Sequence, residues 1–300
     1  MNRLTASILV LLGAASYGML STIVKLGYQA GFTPAEITGS QVLLGCIGLW
    51  LICLPSIRQL RPLSKQTIIK LILSGTFAGL TGVFYYLALQ TISASLGVIL
   101  LFQFVWMGIL FDWILERRRP GNNQWIALVF VLIGTVLAAG TQALIAPKIS
   151  VWGIIFGLLA AATYTGTLSV NARVATEVPP IIRGSLMTTG TMLITLLIYP
   201  PQFFFNGSLV HGLWFWALLL GLFGVLIPSY CYAKGIPAIG SGMATILGSA
   251  ELPVVVITSA LILKEPVELT QWLGIILILF GIVCTQQSIR WKKLFVKPAH

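Results

Sequence analysis

The chain nearly repeats itself at an offset of 147 residues, and this repeat constrains its fold more than any other feature. Residues 11–17 read again almost unchanged at 158–164, and Gln124–Trp125 recurs as Gln271–Trp272. Each copy holds an odd number of apolar segments, so a chain that crosses a membrane once per segment begins its second copy on the opposite side. The repeat therefore predicts two halves, 1–147 and 148–300, of opposite orientation.

The composition is that of an integral membrane protein. Hydrophobic residues make up 57% of the chain, charged residues only 8%, and the mean hydropathy is +0.97. A helix needs about 20 apolar residues to cross a bilayer core of about 30 Å. The sequence predicts an all-α integral membrane fold with ten transmembrane helices as two inverted five-helix repeats, the helices covering 4–24, 35–54, 68–89, 93–115, 123–143, 151–171, 181–201, 212–233, 240–263 and 270–289.

The positive charge follows the topology and does not indicate a nucleic-acid partner. Of the 18 basic residues, fifteen fall on one side of the predicted membrane, Arg173 and Arg183 among them. Lys148 and Lys264 fall on the other side, and Lys25 lies near the outer end of helix 1. Basic loops stay in the cytoplasm, so both termini are predicted to be cytoplasmic in a multi-pass protein of the bacterial inner membrane.

Motifs for catalysis and metal binding are missing from the sequence. The four cysteines fall within predicted spans without metal-ligand spacing, and the two histidines form no zinc motif. A nucleotide-binding loop is also missing, which excludes ATP hydrolysis by this chain. We therefore expect no enzyme, no cofactor and no metal, and a transport process driven by an ion gradient or by the solute's own gradient.

Glu251 is the most informative single residue, because a carboxyl group within the hydrocarbon needs a reason to be there. Pro253 follows it and should kink or open helix 9 beside it, so Pro253 and Gly248 are predicted gating positions. A carboxyl in such surroundings is suited to taking up and releasing a proton, or to holding a cationic substrate. The alternative is a neutral, hydrogen-bonded structural glutamate.

Helix 4 is the repeat partner of helix 9 and carries two candidate residues. Gln103 lies at nearly the depth of Glu251 and either orients a substrate or forms an interhelical hydrogen bond. Trp106 lies in the middle of the helix, away from the interfacial zone that tryptophan prefers, and serves either packing or a cavity wall.

Two polar stripes lie on helices 1 and 6, which are also repeat partners. Their members share one helix face at spacings of three or four residues, and facing stripes would line a polar path. Helix packing by serine and threonine, with snorkelling of the lysine, explains them equally well. Tyrosines on helices 3 and 8 add candidates for a solute clamp or for an interfacial position. The candidates are Tyr17, Ser21, Lys25, Tyr164, Thr167, Asn171, Tyr85 and Tyr230.

The order of these elements resembles the EamA-type members of the drug/metabolite transporter superfamily across essentially the whole chain. The resemblance rests on the segments 11–17 and 158–164, on the second-half stretch 263–274, and on the closing glycines Gly134 and Gly281. It implies ten helices around a central cavity and transport of small metabolites or drugs, frequently outward.

The sequence departs from the family pattern at several positions. Tyr17 and Tyr164 replace a common tryptophan, and Gln41 replaces a basic residue. The family's fourth-helix proline is present as Pro253, whereas Phe104 takes its place in the first half, which implies asymmetric gating.

The primary hypothesis is a secondary transporter of small organic solutes that works by alternating access, as a monomer or homodimer in the bilayer. Helices 1, 3, 4, 6, 8 and 9 are predicted to line its site. A passive pore, a membrane enzyme and a noncatalytic lipid-binding scaffold are the alternatives, and saturable uptake or counterflow separates the first of these from a transporter.

Overall fold

In the computed structural model the chain is all-helical over the described residues, which are 1–89, 91–92, 94–117, 119–139, 150–264 and 267–295. We number the main helices α1 to α10 in chain order, and three of them consist of several segments. The helices are α1 (Arg3–Gln29), α2 (Pro34–Cys53), α3 (Lys65–Leu89), α4 (Ala94–Leu101 and Phe104–Glu116), α5 (Asn122–Ala138), α6 (Val151–Arg173), α7 (Pro180–Ile198), α8 (Leu209–Leu213, Trp214–Gly221, Leu222–Leu226 and Ile227–Ile239), α9 (Ser241–Gly248, Glu251–Thr258 and Ser259–Leu263) and α10 (Leu269–Phe295).

Eight of these helical stretches are long and apolar enough to cross a membrane. The other two, α5 and the apolar part of α10 (Leu269–Cys284), are shorter than a typical span. The predicted all-helical membrane architecture is therefore confirmed for the described part of the chain, with eight candidate spans and two shorter apolar helices. Lys148, predicted to lie on the outer side, falls outside the described residues.

Local sequence signals set the turn between α1 and α2. Pro34 is the first residue of α2 and needs no backbone donor there. The Thr33 hydroxyl accepts a hydrogen bond from the Glu36 amide, and the Glu36 carboxylate accepts one of 2.8 Å from the Thr33 amide. This reciprocal capping box begins α2 immediately after the α1 turn.

The helices pack mainly across the two halves of the chain. Helix α1 packs against α8 and α9, while α6, its repeat partner, packs against α3 and α4; α5 and α10 pack mainly against each other. Along the first of these pairs Gly27 faces Trp216, Gly13 faces Tyr232, and Ala6 faces Gly235. The contacts run in opposite order, so α1 and α8 are antiparallel. We call the two ends of the bundle the Arg3 end and the Gln29 end, after the ends of α1.

Both α4 and α9 are broken in the middle. In α9 the amide of Ala250 bonds the carbonyl of Leu247, and in α4 the amide of Gln103 bonds that of Leu100, each three residues back. Such tightened bonds end one helical segment and let the next begin. The sequence predicts one continuous helix over 93–115 and a break only beside Pro253; this was wrong, because α4 breaks at the equivalent place without a proline.

Candidate substrate cavity

A cavity of about 360 Å³ lies between the two halves, within the usual range of small-molecule sites. Helices α1–α4 and α6–α9 supply its described lining, so α2 and α7 join the helices that the sequence predicts. Tyr28 and Thr38 place one end of the cavity beside the α1–α2 turn, at the Gln29 end. Hydroxyl groups dominate its polar wall, supplied by Ser21, Thr38, Thr81, Thr167, Thr188, Thr191, Thr195 and Ser229.

Glu251 is the only charged residue in the described lining of this cavity. It is the first residue of the second α9 segment, directly after the helix break. None of the hydrogen bonds found between described residues ends on its carboxylate, so the structure gives no support to the hydrogen-bonded structural alternative. At the same level α1 crosses α9 closely, since a side chain at Gly18 would come within 2.6 Å of the Glu251 carbonyl oxygen.

Four tyrosines lie within electrostatic range of the carboxyl group of Glu251: Tyr17, Tyr85, Tyr164 and Tyr232. The rings of Tyr17 and Tyr232 lie 5.8 Å apart, and the hydroxyls of Tyr164 and Tyr232 are 3.4 Å apart. The sequence candidates Tyr17, Tyr85 and Tyr164 thus meet Glu251 in one place, and Tyr232 joins them although Tyr230 was chosen on the same helix. The repeat itself pointed to Tyr232, because it recurs 147 residues after Tyr85.

The polar stripes of α1 and α6 reach the cavity in part. Ser21 and Thr167 line it, whereas Asn171 lines a smaller adjoining space of about 40 Å³ that shares Tyr17 and Thr167 with the main cavity. Lys25 lines neither space and is exposed toward the Gln29 end. The stripe therefore continues the polar surface toward the Arg3 end but does not carry Lys25 into the site.

The remaining candidates lie outside the cavity lining. Gln103 donates to the carbonyl of Ile99 and accepts from the Trp106 indole, both at 2.9 Å, so its amide is used within α4. Trp106 lines a separate apolar groove of about 570 Å³ on the lateral surface of the bundle. Tyr230 accepts from Lys234 at 3.2 Å, one helical turn away on the same helix.

The two predicted gating positions lie on either side of the α9 break. Pro253 is buried behind Glu251. Gly248 faces the Phe104 ring of α4, which a side-chain carbon there would meet at 3.6 Å, an ordinary contact distance. The two residues are thus well placed to affect the break, although neither touches the cavity.

A polar cluster lies at the Arg3 end of the bundle. Asp112 of α4 forms an ion pair with Arg173 at the end of α6 and accepts from the Ser241 hydroxyl and, at 2.5 Å, from the Gly242 amide at the start of α9. Arg173 also donates to Ser169 and Ser241. This cluster, which we call the Arg3-end clasp, joins three helices from both halves. Its members are far apart in sequence, so no local sequence pattern predicts this cluster.

The position of Arg183 in the structure differs from the position that the sequence predicts. The sequence counts Arg183 among the basic residues on the inner side of the membrane, but its side chain is fully buried in α7. It donates to the backbone carbonyls of Asn171 at 3.0 Å and Ala233 at 2.5 Å, whereas Nε and Nη1 have no partner among the described residues. The helices α6 and α8 cover it, and their approach could not be read from the chain alone.

Comparison with known proteins agrees with this architecture. The Bacillus subtilis protein named Uncharacterized transporter YwfM is 26% identical over 61% of this chain and 60% of its own length. The Salmonella typhimurium Uncharacterized inner membrane transporter YicL is 29% identical over 66% of each protein. The chain thus aligns with just under two thirds of these relatives.

The fold also has a counterpart among solved structures. One crystal structure, which carries no more specific description than that of a protein, superimposes on this chain with a TM-score of 0.77. The two sequences are 17% identical, and the superposition covers 95% of this chain and 98% of the other. The model of the EamA-like transporter family matches twice, at residues 4–140 and 151–286, so each half carries its own copy. The chain is a multi-pass membrane protein with bacterial transporter relatives, and it belongs to the EamA-like transporter family.

Proposed function

We propose that this protein is a secondary transporter that moves a small organic metabolite, amino acid or drug across the bacterial inner membrane by alternating access. The family assignment supports transport rather than enzyme activity. The proposal further assigns ten membrane crossings, two inverted halves at 1–147 and 148–300, cytoplasmic termini and outward transport. The positive-inside charge distribution and the antiparallel packing of α1 against α8 support this topology.

The cavity around Glu251 is the observation that carries the proposal. It reaches the Gln29 end, while the Arg3-end clasp links α4, α6 and α9 on the opposite side. Access from one end and closure at the other are typical of one state of an alternating-access cycle and not of a passive pore. In the other state the clasp separates and the cavity opens at the Arg3 end.

Glu251 is the proposed coupling residue, which takes up a proton in one state and releases it in the other. Its position beside the α9 break exposes it to both access routes as the segments move. Gln103, Trp106, Lys25 and Tyr230 are not part of this proposed site, whereas Tyr17, Ser21, Tyr85, Tyr164 and Thr167 are.

Solute uptake into proteoliposomes tests the function. A panel of amino acids, nucleosides and cationic drugs is measured with and without a pH gradient, and a transporter gives saturable uptake and counterflow for at least one of them. Glu251→Gln should abolish the response to the pH gradient while the protein remains monodisperse in detergent. Full activity with an unchanged pH profile in this variant would exclude the coupling role, and non-saturable leakage would favour a pore.

A further inference from the structure

We propose that the cavity binds monovalent organic cations and that each bound cation displaces one proton from Glu251. The protonated carboxyl group and the cation give a carboxylate–cation pair and a proton, which leaves to the aqueous phase, so charge is conserved in the site. The inference rests on the transport function proposed above and adds to it a substrate class and a stoichiometry.

The charge of the cavity wall is the first observation that favours a cationic ligand. Glu251 is the only ionisable acid or base besides tyrosines in the described lining, and lysine and arginine do not occur in it. A carboxylate without a partner in a cavity of low dielectric constant is costly, so we expect Glu251 to hold either a proton or a cation. The described lining of the cavity supplies no cation, which leaves a proton and a positively charged ligand as competing partners for one site.

The titratable groups on the helices that pack around Glu251 add no charge beside its carboxyl group. Tyr17, Tyr85, Tyr164 and Tyr232 lie within electrostatic range of it on α1, α3, α6 and α8, and each carries a neutral hydroxyl. In α4 the described acid, Asp112, is held in the Arg3-end clasp. The stretches 122–138 of α5 and 269–283 of α10 contain no titratable side chain.

Two basic residues on helices that line the cavity, Arg183 and Lys25, are outside its described wall. Arg183 is covered completely and donates to two backbone carbonyls at the Arg3 side of the site. Lys25 lies eight residues after Tyr17 on α1, which is about 12 Å along a helix. The cavity therefore presents one acidic group and no basic one to a ligand.

The tyrosine rings specify the body of the ligand. Aromatic faces attract cations, and tyrosine hydroxyls provide hydrogen bonds at the edge of an otherwise apolar ring. With a volume of about 360 Å³ the cavity suits an amine or quaternary ammonium compound with a compact aliphatic or aromatic body.

Binding to the purified protein in detergent tests the ligand class with matched pairs of charged and neutral probes. Choline is compared with 3,3-dimethylbutanol and tyramine with tyrosol, while 4-hydroxyphenylacetate and tyrosine represent an anion and a zwitterion. We expect each cation to bind at least about tenfold tighter than its neutral partner. Calorimetry in two buffers of different protonation enthalpy should report release of about one proton per bound cation.

The variants separate the role of Glu251 from general damage to the fold. Glu251→Gln should lose both the cation preference and the proton release, whereas Trp272→Phe, a change on the exposed surface of α10, should retain both. Equal binding of charged and neutral partners, or tighter binding of the anion or the zwitterion, would overturn the proposal.

Flux in proteoliposomes distinguishes failure of this inference from failure of the proposed function. One-for-one exchange of a monovalent cation for a proton moves no net charge, so tyramine flux should follow the pH gradient and change less than about twofold when a potassium diffusion potential is imposed. Cation binding with proton release but without any flux would refute transport and leave the ligand class intact. Coupled flux of neutral or zwitterionic solutes alone would refute the ligand class and leave transport intact.

Discussion

Phe104 in α4 and Glu251 in α9 occupy equivalent positions, 147 residues apart, each directly after the break of its helix. Phe104 is fully buried and packs edge-on against Tyr164, with ring centroids 4.7 Å apart. Glu251 lines the cavity beside Tyr17, which is the repeat partner of Tyr164. Equivalent positions of the two halves thus hold an aromatic pair in the first half and an acid with a tyrosine in the second. We call them the Phe104 corner (Phe104 and Tyr164) and the Glu251 corner (Glu251 and Tyr17).

The helices beside these two corners approach at different distances. Thr165 of α6 has room for its side chain and donates to the Phe104 carbonyl at 3.4 Å. Its repeat partner in α1 is Gly18, where a side chain would collide with the Glu251 carbonyl and with Val254. The α1–α9 crossing is therefore tighter than the α6–α4 crossing. Of the two equivalent positions, the Phe104 corner serves packing and the Glu251 corner is the candidate binding site.

The largest expected effect is on transport and comes from giving the Glu251 corner the aromatic residue of the Phe104 corner. Glu251→Phe gives both halves an aromatic residue after the break and removes the acid from the cavity. We expect flux driven by a pH gradient to fall at least about 100-fold, because the coupling group is lost. Proteoliposome flux measures this, with Glu268→Phe as the control that removes an acid outside the cavity. Retention of pH-driven flux would show that the two corners do not differ in function.

The reverse exchange tests whether the first corner is purely structural. Phe104→Glu removes a fully buried aromatic side chain and places a carboxyl group in the core, which should lower the free energy of unfolding by about 3–5 kcal/mol. Denaturant titration in detergent micelles measures the loss, with Phe104→Leu as the milder control. Equal stability of the two variants would mean that this corner tolerates charge as the Glu251 corner does.

Gly18→Ala tests the tighter helix crossing. The added methyl group meets backbone and a β-branched side chain that cannot move cheaply, so we expect a loss of about 1–3 kcal/mol in unfolding free energy. Gly82→Ala is the matched control, because a side-chain carbon there has open space around it. A similar stability of both variants would indicate that α1 and α9 separate easily at this level.

The smallest effect is expected at Gly248, whose repeat partner Leu101 already carries a large side chain. An alanine there makes an ordinary contact with Phe104, and the helix gains from losing a glycine, so stability should rise by up to about 0.5 kcal/mol. Thermal unfolding in detergent measures this change. Reduced flux at unchanged or higher stability would support the predicted gating role, whereas full flux would restrict gating to the Pro253 side of the break.

Sequence reasoning identified the all-helical membrane class and the break beside Pro253. It missed the break in α4, because the tightened turn at Gln103 is made without proline and leaves no composition signal. It also paired Glu251 with Gln103 and Pro253 with Phe104, whereas the equivalent breaks pair Glu251 with Phe104 and Pro253 with Trp106. Tyr230 was chosen as a site candidate in place of Tyr232. Residues two apart on a helix point about 200° apart, and only packing decides which of them lies near Glu251.

The sequence by itself determined the membrane environment, the twofold repeat and the presence of an acid within an apolar helix, because composition and periodicity are properties of the chain alone. The tertiary structure decided that Glu251 lies within electrostatic range of four tyrosines, that Asp112 pairs with Arg173, and that Arg183 is buried. Each of these depends on contacts between side chains and backbone of different helices. Such contacts arise from the shape of the packed interfaces, which leaves no local pattern in the sequence.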